Sequence, residues 1–245
     1  MKLLIDAGNT RMKWQLLAGE KVVESGFGTL GDDDVSRHWL PWAGSIERIA
    51  ISTVISEGKR EHLQLSLEAT YDVPVVFHWA ESRRGKLVNA YAEVHRMGAD
   101  RWHAMCGGWR VTGGGGFAVV DAGSAITVDY VASSGQHLGG YILPGKQMML
   151  RSLQQDAARI GFDSLDAEQS APGTSTTECV QHGLVWLREA MVARIARDCG
   201  HFGLDRTLVT GGDAAGLIGA GLPAIHDPYL VLNGLAAVDE EWALQ

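Results

Sequence analysis

The sequence predicts an α/β protein built as two similar subdomains, each a mixed β-sheet flanked by helices, facing one another across a cleft. Three observations carry this expectation. The opening stretch from Lys2 to Trp14, KLLIDAGNTRMKW, is echoed by FAVVDAGSAITVDY from Phe117 to Tyr130. Matching Asp6 to Asp121 gives an offset of 115 residues that also sets Gly8 on Gly123, Asn9 on Ser124 and Met12 on Thr127, and a repeat at this spacing suggests paired units. After an antiparallel start the first half runs strand, helix, strand, the order of a mixed sheet with helices packed on it. Finally, Gly113 to Gly116 is an unbroken glycine run, the most permissive backbone in the chain. It sets the expected subdomains at residues 1–113 and 114–245.

Taken in order, the apolar run into Asp6 reads as a buried strand, and Gly8-Asn9 turns it into a second one. Trp14 to Leu17, the Ala18-Gly19-Glu20 turn and Val22-Val23 read as a hairpin extending that sheet. Arg48 to Val54 is a strand with Ile49 and Ile51 on one face; Lys59 to Ala69, with Leu63, Leu65 and Leu67 in a charged frame, reads as a helix. Val73 to Trp79 is a short strand, and the polar, aperiodic residues 81–97 form a candidate substrate loop. Within that loop Tyr91, on its own, reads as a surface aromatic. Gly98 to Arg101 opens a helix through Trp109. In the second half the Phe117 strand is followed by a hairpin of Val128 to Ala132 and His137 to Leu143, then a helix from Lys146 to Ile160. The paired glycines 139 and 140 serve either packing or the close approach of a substrate. Thr176 or Thr177 is a natural cap for a helix from Glu178 to Cys199. A strand from Arg206 to Thr210 ends in Gly211-Gly212-Asp213, and Tyr229 to Val238 is an apolar helix or strand.

Composition narrows the function. A formal charge of −8 disfavours nucleic acid as a main partner, since binding to its backbone needs a basic face. No apolar run approaches the length that spans a bilayer. Cys106, Cys179 and Cys199 are far apart, as expected of buried thiols and not of metal ligands or a disulfide framework. Asp6 interrupts any signal-peptide core, so a cytoplasmic location is expected.

The chemistry centres on carboxylates beside tight turns. The turn after Asp6 points backbone N–H groups at a shared space where an anion can sit. A carboxylate there makes sense as a partner of Mg²⁺ or its waters, with Lys13 as the compensating cation; the alternative is that Asp-x-Gly is only a turn after a strand. Asp100, at a helix start, is either a cap or a general base for an alcohol attacking a γ-phosphate. Arg101 beside it offers a planar fork to a carboxylate.

The motifs DxGNTxxKW (Asp6 to Trp14), GADR (Gly98 to Arg101), DxG-S/T-AxT-x-D (Asp121 to Asp129) and GGxIxPG (Gly139 to Gly145) together resemble type III pantothenate kinase. That family belongs to the acetate and sugar kinase, Hsp70 and actin superfamily, and the resemblance runs nearly end to end. It implies a ribonuclease H-like, actin-like ATPase fold and ATP-dependent phosphorylation of pantothenate, the entry to coenzyme A synthesis. Carried over residue by residue, it implies ATP contacts at Asp6, Ala7, Gly8, Asn9, Thr10, Arg11, Met12, Lys13 and Ser124, with Asp6 on the Mg²⁺ side. It further implies Asp100 as the catalytic base, pantothenate contacts at Tyr91, Gly98, Ala99 and Arg101, and Asp121 as ligand of a monovalent cation, K⁺ or NH₄⁺. Thr176 would reach pantothenate from a neighbouring subunit, making a homodimer with its active site at the interface. Two positions depart from the family pattern: Ser124 stands for a threonine and keeps the hydroxyl, and Ser175 stands for an asparagine. A kinase for another small alcohol or acid, and a non-catalytic nucleotide-binding transcription accessory factor, are the alternative readings.

Overall fold

Strand β1 (Lys2–Ala7) is apolar on both faces and lies at the centre of a five-stranded sheet ordered β3-β2-β1-β4-β5, where β2 is Met12–Ala18, β3 Lys21–Gly28, β4 Arg48–Thr53 and β5 Val75–His78. The computed structural model describes residues 1–29, 37–156, 160–163 and 168–243. β1, β2 and β3 pair antiparallel, whereas β4 joins β1 and β5 joins β4 in parallel. The parallel β4–β5 step is bridged by helix α1 (Glu57–Thr70), as the strand, helix, strand order requires. One face of the sheet places Leu3, Ile5, Ile49 and Ile51 against Trp14, Trp39 and Leu67. The opposite face places Leu4 and Ala50 against Leu232, Leu235 and Ala236. Alternation with period two puts these sets on opposite sides.

Two short strands, β6 (Arg83–Arg84) and β7 (Leu87–Val88), give the substrate loop a small ladder of its own. Helix α2 (Ala99–Thr112) follows, and Gly113, which caps its C-terminus, has φ 66°, the left-handed conformation for which glycine is suited.

The second sheet repeats the first. β8 (Phe117–Ala122), β9 (Ala125–Val131), β10 (His137–Pro144), β11 (Arg206–Thr210) and β12 (Ile225–His226) are ordered β10-β9-β8-β11-β12. β9 is antiparallel to β8, while β11 runs parallel to β8 and β12 to β11. The duplication inferred from the two DAG turns therefore extends to whole sheets, with one change of register. Ala7 pairs with Met12, but Ala122 pairs with Ile126, so the second turn is one residue shorter and Met12 corresponds to Ile126, not to Thr127.

Helix α3 (Lys146–Asp156) is followed by α4 (Thr176–Phe202) and α5 (Ala214–Gly219). The expected end of the first of these, around residues 157–159, lies outside the described residues. The cap of α4 is Ser175, not Thr176 or Thr177: its hydroxyl accepts the N–H of Glu178 at 3.2 Å, and Glu178 in turn accepts the N–H and hydroxyl of Thr174. This is a variant of the capping box. The segment read as helix or strand is helix α6 (Leu230–Ala243).

Two units result: Met1–Gly114 with Ser134–Gly139 and Tyr229–Gln245, and Gly115–Ser133 with Gly140–Pro228. They are not continuous halves of the chain. α6 closes the first unit by packing on β1, β4 and α2. α2 and α6 approach so closely that a Cβ on Gly234 would collide with the carbonyl of His103, and one on Gly107 with that of Leu230.

Candidate functional site

In the first unit the turn after β1 is held tightly. Gly8 donates its N–H to the Arg11 carbonyl at 3.0 Å, and a Cβ on Gly8 would stand 3.1 Å from the same oxygen. Asn9 donates to the Val54 carbonyl at 3.4 Å, and the Thr53 hydroxyl donates to the Ala7 carbonyl at 3.0 Å, so the turn is braced against the end of β4. Asn9, Thr10 and Arg11 are exposed, whereas the side chains of Ala7 and Met12 lie in the core and leave only backbone for a ligand. Asp6 faces Lys13 across the β1–β2 ladder and Ser52 across the β1–β4 ladder, and Ser52 faces His78 on β5. Cross-strand partners share a face, so Lys13, Asp6, Ser52 and His78 form one polar row over four strands.

That row is met from above by two helices. His103 of α2, fully buried, places Nδ1 2.7 Å from the Ser52 hydroxyl, and its Nε2 has no hydrogen-bond partner. Burial, seconded by His78 and Arg84, lowers the His103 pKa to about 3 and keeps the ring neutral. Asp239 of α6, without exposed surface, accepts from His78 at 2.9 Å, Lys2 at 2.7 Å and Arg48 at 2.8 Å. Burial alone would raise its pKa, but these three partners outweigh that and hold the carboxyl below the usual range. Ser52, His78, His103 and Asp239 escaped the sequence reading. Their spacing in the chain carries no signal, because strand register and helix packing bring them together.

Asp100 is the second residue of α2, behind the N-cap Gly98, and its Oδ1 accepts the Arg101 N–H at 2.7 Å. It is therefore not the cap that one reading made it. A Cβ on Gly98 would sit 2.5 Å from that Oδ1, so a side chain there would push the carboxylate from this position. Arg101 is buried, donates from Nη1 to the Tyr91 hydroxyl at 2.7 Å and lies over the Tyr91 ring. Tyr91 donates its N–H to Asn89 at 2.9 Å, and its ring is near-parallel to that of His137 with centroids 6.5 Å apart. It is thus not the free surface aromatic that it suggests in isolation. Ala99 is buried.

In the second unit two separate motifs converge on the DAGS turn. Gly123 donates to the Ala125 carbonyl at 3.0 Å, and Gly145, from the GGYILPG motif, donates to the Ser124 carbonyl at 3.0 Å. Gly211, from the TGGD motif, has φ 94°, and a Cβ there would collide with the Ala122 backbone and reach within 2.5 Å of Asp121 Oδ1. Asp213 donates its N–H to the Ala122 carbonyl at 2.8 Å. Thr210, paired with Asp121 across β8 and β11, is fully buried and its hydroxyl has no partner. Thr176 is exposed at the start of α4. A cavity of about 430 Å³ opens between α4 and α5, lined by Glu168, Val185, Arg188, Ala215 and Gly216. Glu168 bridges Arg188 at 2.6 Å and Lys146 at 3.1 Å, and these hydrogen bonds hold its carboxyl at about 2.

A family model described as type III pantothenate kinase matches residues 2–198. A type III pantothenate kinase of Marinobacter nauticus is 53% identical over 242 residues, covering 97% of this chain and 98% of that protein. One of Hahella chejuensis is 35% identical over 244 residues, covering 97% and 96%. Among solved structures, a Baf family transcriptional activator from Campylobacter jejuni superposes with TM-score 0.60 at 22% identity, covering 99% of this chain and all of that one. The activator of the 2-hydroxyisocaproyl-CoA dehydratase from Clostridium difficile, with bound ADPNP, superposes with TM-score 0.54 at 14% identity, covering 100% and 96%. At such identities these two bear on the fold alone, which is that of actin-like ATPases and sugar kinases.

Proposed function

The chain belongs to the type III pantothenate kinase family, and from that premise we propose how its residues divide the work of ATP-dependent phosphorylation of pantothenate, the first step of coenzyme A biosynthesis. Transfer of this kind calls for alignment, charge neutralisation and one proton acceptor. The observation that carries the assignment is the opening turn of α2, where Asp100 and the buried Arg101 are presented together beside Tyr91. Asp100 takes the proton of the attacking primary hydroxyl. Arg101 pairs with the pantothenate carboxylate, and Tyr91 holds the guanidinium; the backbone of Gly98 and Ala99 completes the substrate contact.

ATP is the donor, with a divalent cation. Asp6 fits Mg²⁺ or its waters, because a carboxylate beside a turn that receives phosphate oxygens would otherwise repel the nucleotide. Bound there, the ion would neutralise charge on the phosphate oxygens. Gly8, Asn9 and Thr10 supply the turn, the backbone of Ala7, Arg11 and Met12 continues it, and Lys13 adds positive charge. Ser124 contacts the nucleotide in place of the family's threonine. Asp121 holds a monovalent cation, K⁺ or NH₄⁺, and the orphaned, buried hydroxyl of Thr210 beside it supports an ion at this place.

A homodimer in which Thr176 reaches pantothenate bound to the other copy completes the reading. It is supported by exposed Tyr141, Ile142 and Leu143 on the edge strand β10 and by Trp186 on α4, apolar surface that a monomer would leave to water. Among the described residues no helix is long and apolar enough to cross a membrane; with the net charge of −8, a cytoplasmic enzyme without a nucleic-acid partner fits. The test is ADP release from MgATP, with and without pantothenate, in Na⁺ and in K⁺ buffers. Release that requires pantothenate and rises with K⁺ is expected. Release indifferent to pantothenate would overturn the substrate, and indifference to K⁺ would overturn the role of Asp121.

A further inference from the structure

We propose that the hydrogen bond between His103 and Ser52 positions the catalytic helix: it sets the distance between Asp100 on α2 and Asp6 on β1. The inference rests on the kinase reading above, and its geometry lies wholly within the first unit.

Asp100 and His103 are three residues apart on α2 and so lie on one face of it. Ser52 is the direct neighbour of Asp6 in the parallel ladder between β1 and β4. The 2.7 Å contact between His103 Nδ1 and Ser52 Oγ therefore ties the helix that presents Asp100, three residues along from it, to the direct cross-strand neighbour of Asp6. Nothing about the pair suits a surface or packing role alone. The ring is wholly enclosed, it is neutral, and it leaves Nε2 without a partner, a cost that an apolar side chain would avoid. What the imidazole contributes that leucine cannot is one directional bond of fixed length. The close approach of α2 to α6 at Gly107 and Gly234 sets the spacing of the two helices, and Arg101 ties the same end of α2 to Tyr91. The bond to Ser52 ties the helix to the strand that pairs with Asp6. Phosphoryl transfer is sensitive to a shift between them, because a displacement of about 1 Å can cost up to ~10²-fold in rate.

The test compares Ser52→Ala, His103→Leu, their double variant and His103→Asn, whose side-chain amide can replace Nδ1, with Asp100→Asn run in parallel. Pantothenate-dependent ADP release and the thermal midpoint are measured for each. Ser52→Ala and His103→Leu are expected to lower kcat by about tenfold with KM for pantothenate within about twofold. The double variant should be no worse than the poorer single one, as for two halves of one contact, and His103→Asn should stay near the wild type. Ser52→Ala removes only a hydroxyl, so it keeps the test open if His103→Leu fails to fold. Lowered thermal midpoints with kcat intact, or losses that multiply in the double variant, would overturn the positioning role. A fully active Asp100→Asn would instead sink the base assignment, and kcat losses in the pair would then still count for positioning, read against Asp6 and the phosphates.

Discussion

Asp100 is the second residue of α2, two past the N-cap Gly98, whose lack of a Cβ leaves room for the carboxylate. Asp100→Asn keeps the shape and removes the proton acceptor, so kcat should fall by roughly 10² to 10⁴ with the fold intact; steady-state rates beside a circular dichroism spectrum check this. His103 makes a second residue-level prediction. An unfolded imidazole titrates near 6.5, but the folded one resists protonation down to about 3. Between those values the unfolded chain binds a proton that the folded chain refuses. The contribution of His103 to stability is therefore complete above pH 6.5 and is lost as pH falls towards 3, at no more than about 1.4 kcal/mol per pH unit. Urea denaturation across this range should show the slope, and His103→Asn should flatten it. Asp100 was legible because GADR is a local motif. His103 was not, since a histidine inside a helix looks the same in sequence whether it faces water or Ser52.

Among the elements, α6 shows how a chain terminus is recruited. Its apolar residues face β1 and β4 on one side and α2 on another, which is why its sequence lacks a polar stripe and reads equally as helix or strand. Asp239 is its buried exception, pinning the helix to the starts of β1 and β4 and to the end of β5. Asp239→Leu leaves Lys2, Arg48 and His78 without their common acceptor. It should cost about 3 kcal/mol, the low end for a broken buried pair, since Lys2 and Arg48 keep some contact with water; equilibrium unfolding gives the number. At α4 the sequence placed the cap one or two residues late, because Ser175, Thr176 and Thr177 all carry capping hydroxyls and only the backbone decides which one is outside the helix. Ser175→Ala should therefore destabilise α4 by about 1 kcal/mol, whereas Thr176→Ala should leave its stability unchanged.

For the whole molecule, the shared-site homodimer makes the sharpest prediction. Thr176→Glu places a carboxylate where the pantothenate carboxylate would approach, while a glutamate at a helix N-terminus is tolerated. Mixing that variant with Asp100→Asn under conditions of subunit exchange should restore about a quarter of wild-type activity, since half of the dimers are mixed and each mixed dimer has one intact site. No recovery on mixing, or a monomer by light scattering, would count against a shared site. The duplication was legible at this scale from the two DAG turns alone, and it extends to identical strand order in both sheets.

By itself the sequence determined the longer strands, the duplicated turn, the family and the base and cation candidates, because each is a local pattern: apolar period, glycine at a tight turn, carboxylate at a strand or helix end. Only the tertiary structure decided that the chain's end belongs to the first unit, that Gly145 of GGYILPG and Gly211 of TGGD pack on the DAGS turn, and that Asp6 heads a polar row closed by His103 and Asp239. Those features depend on register and on the depth at which helices lie on a sheet. Register and depth are fixed by contacts between residues far apart in the chain, and no short pattern encodes them.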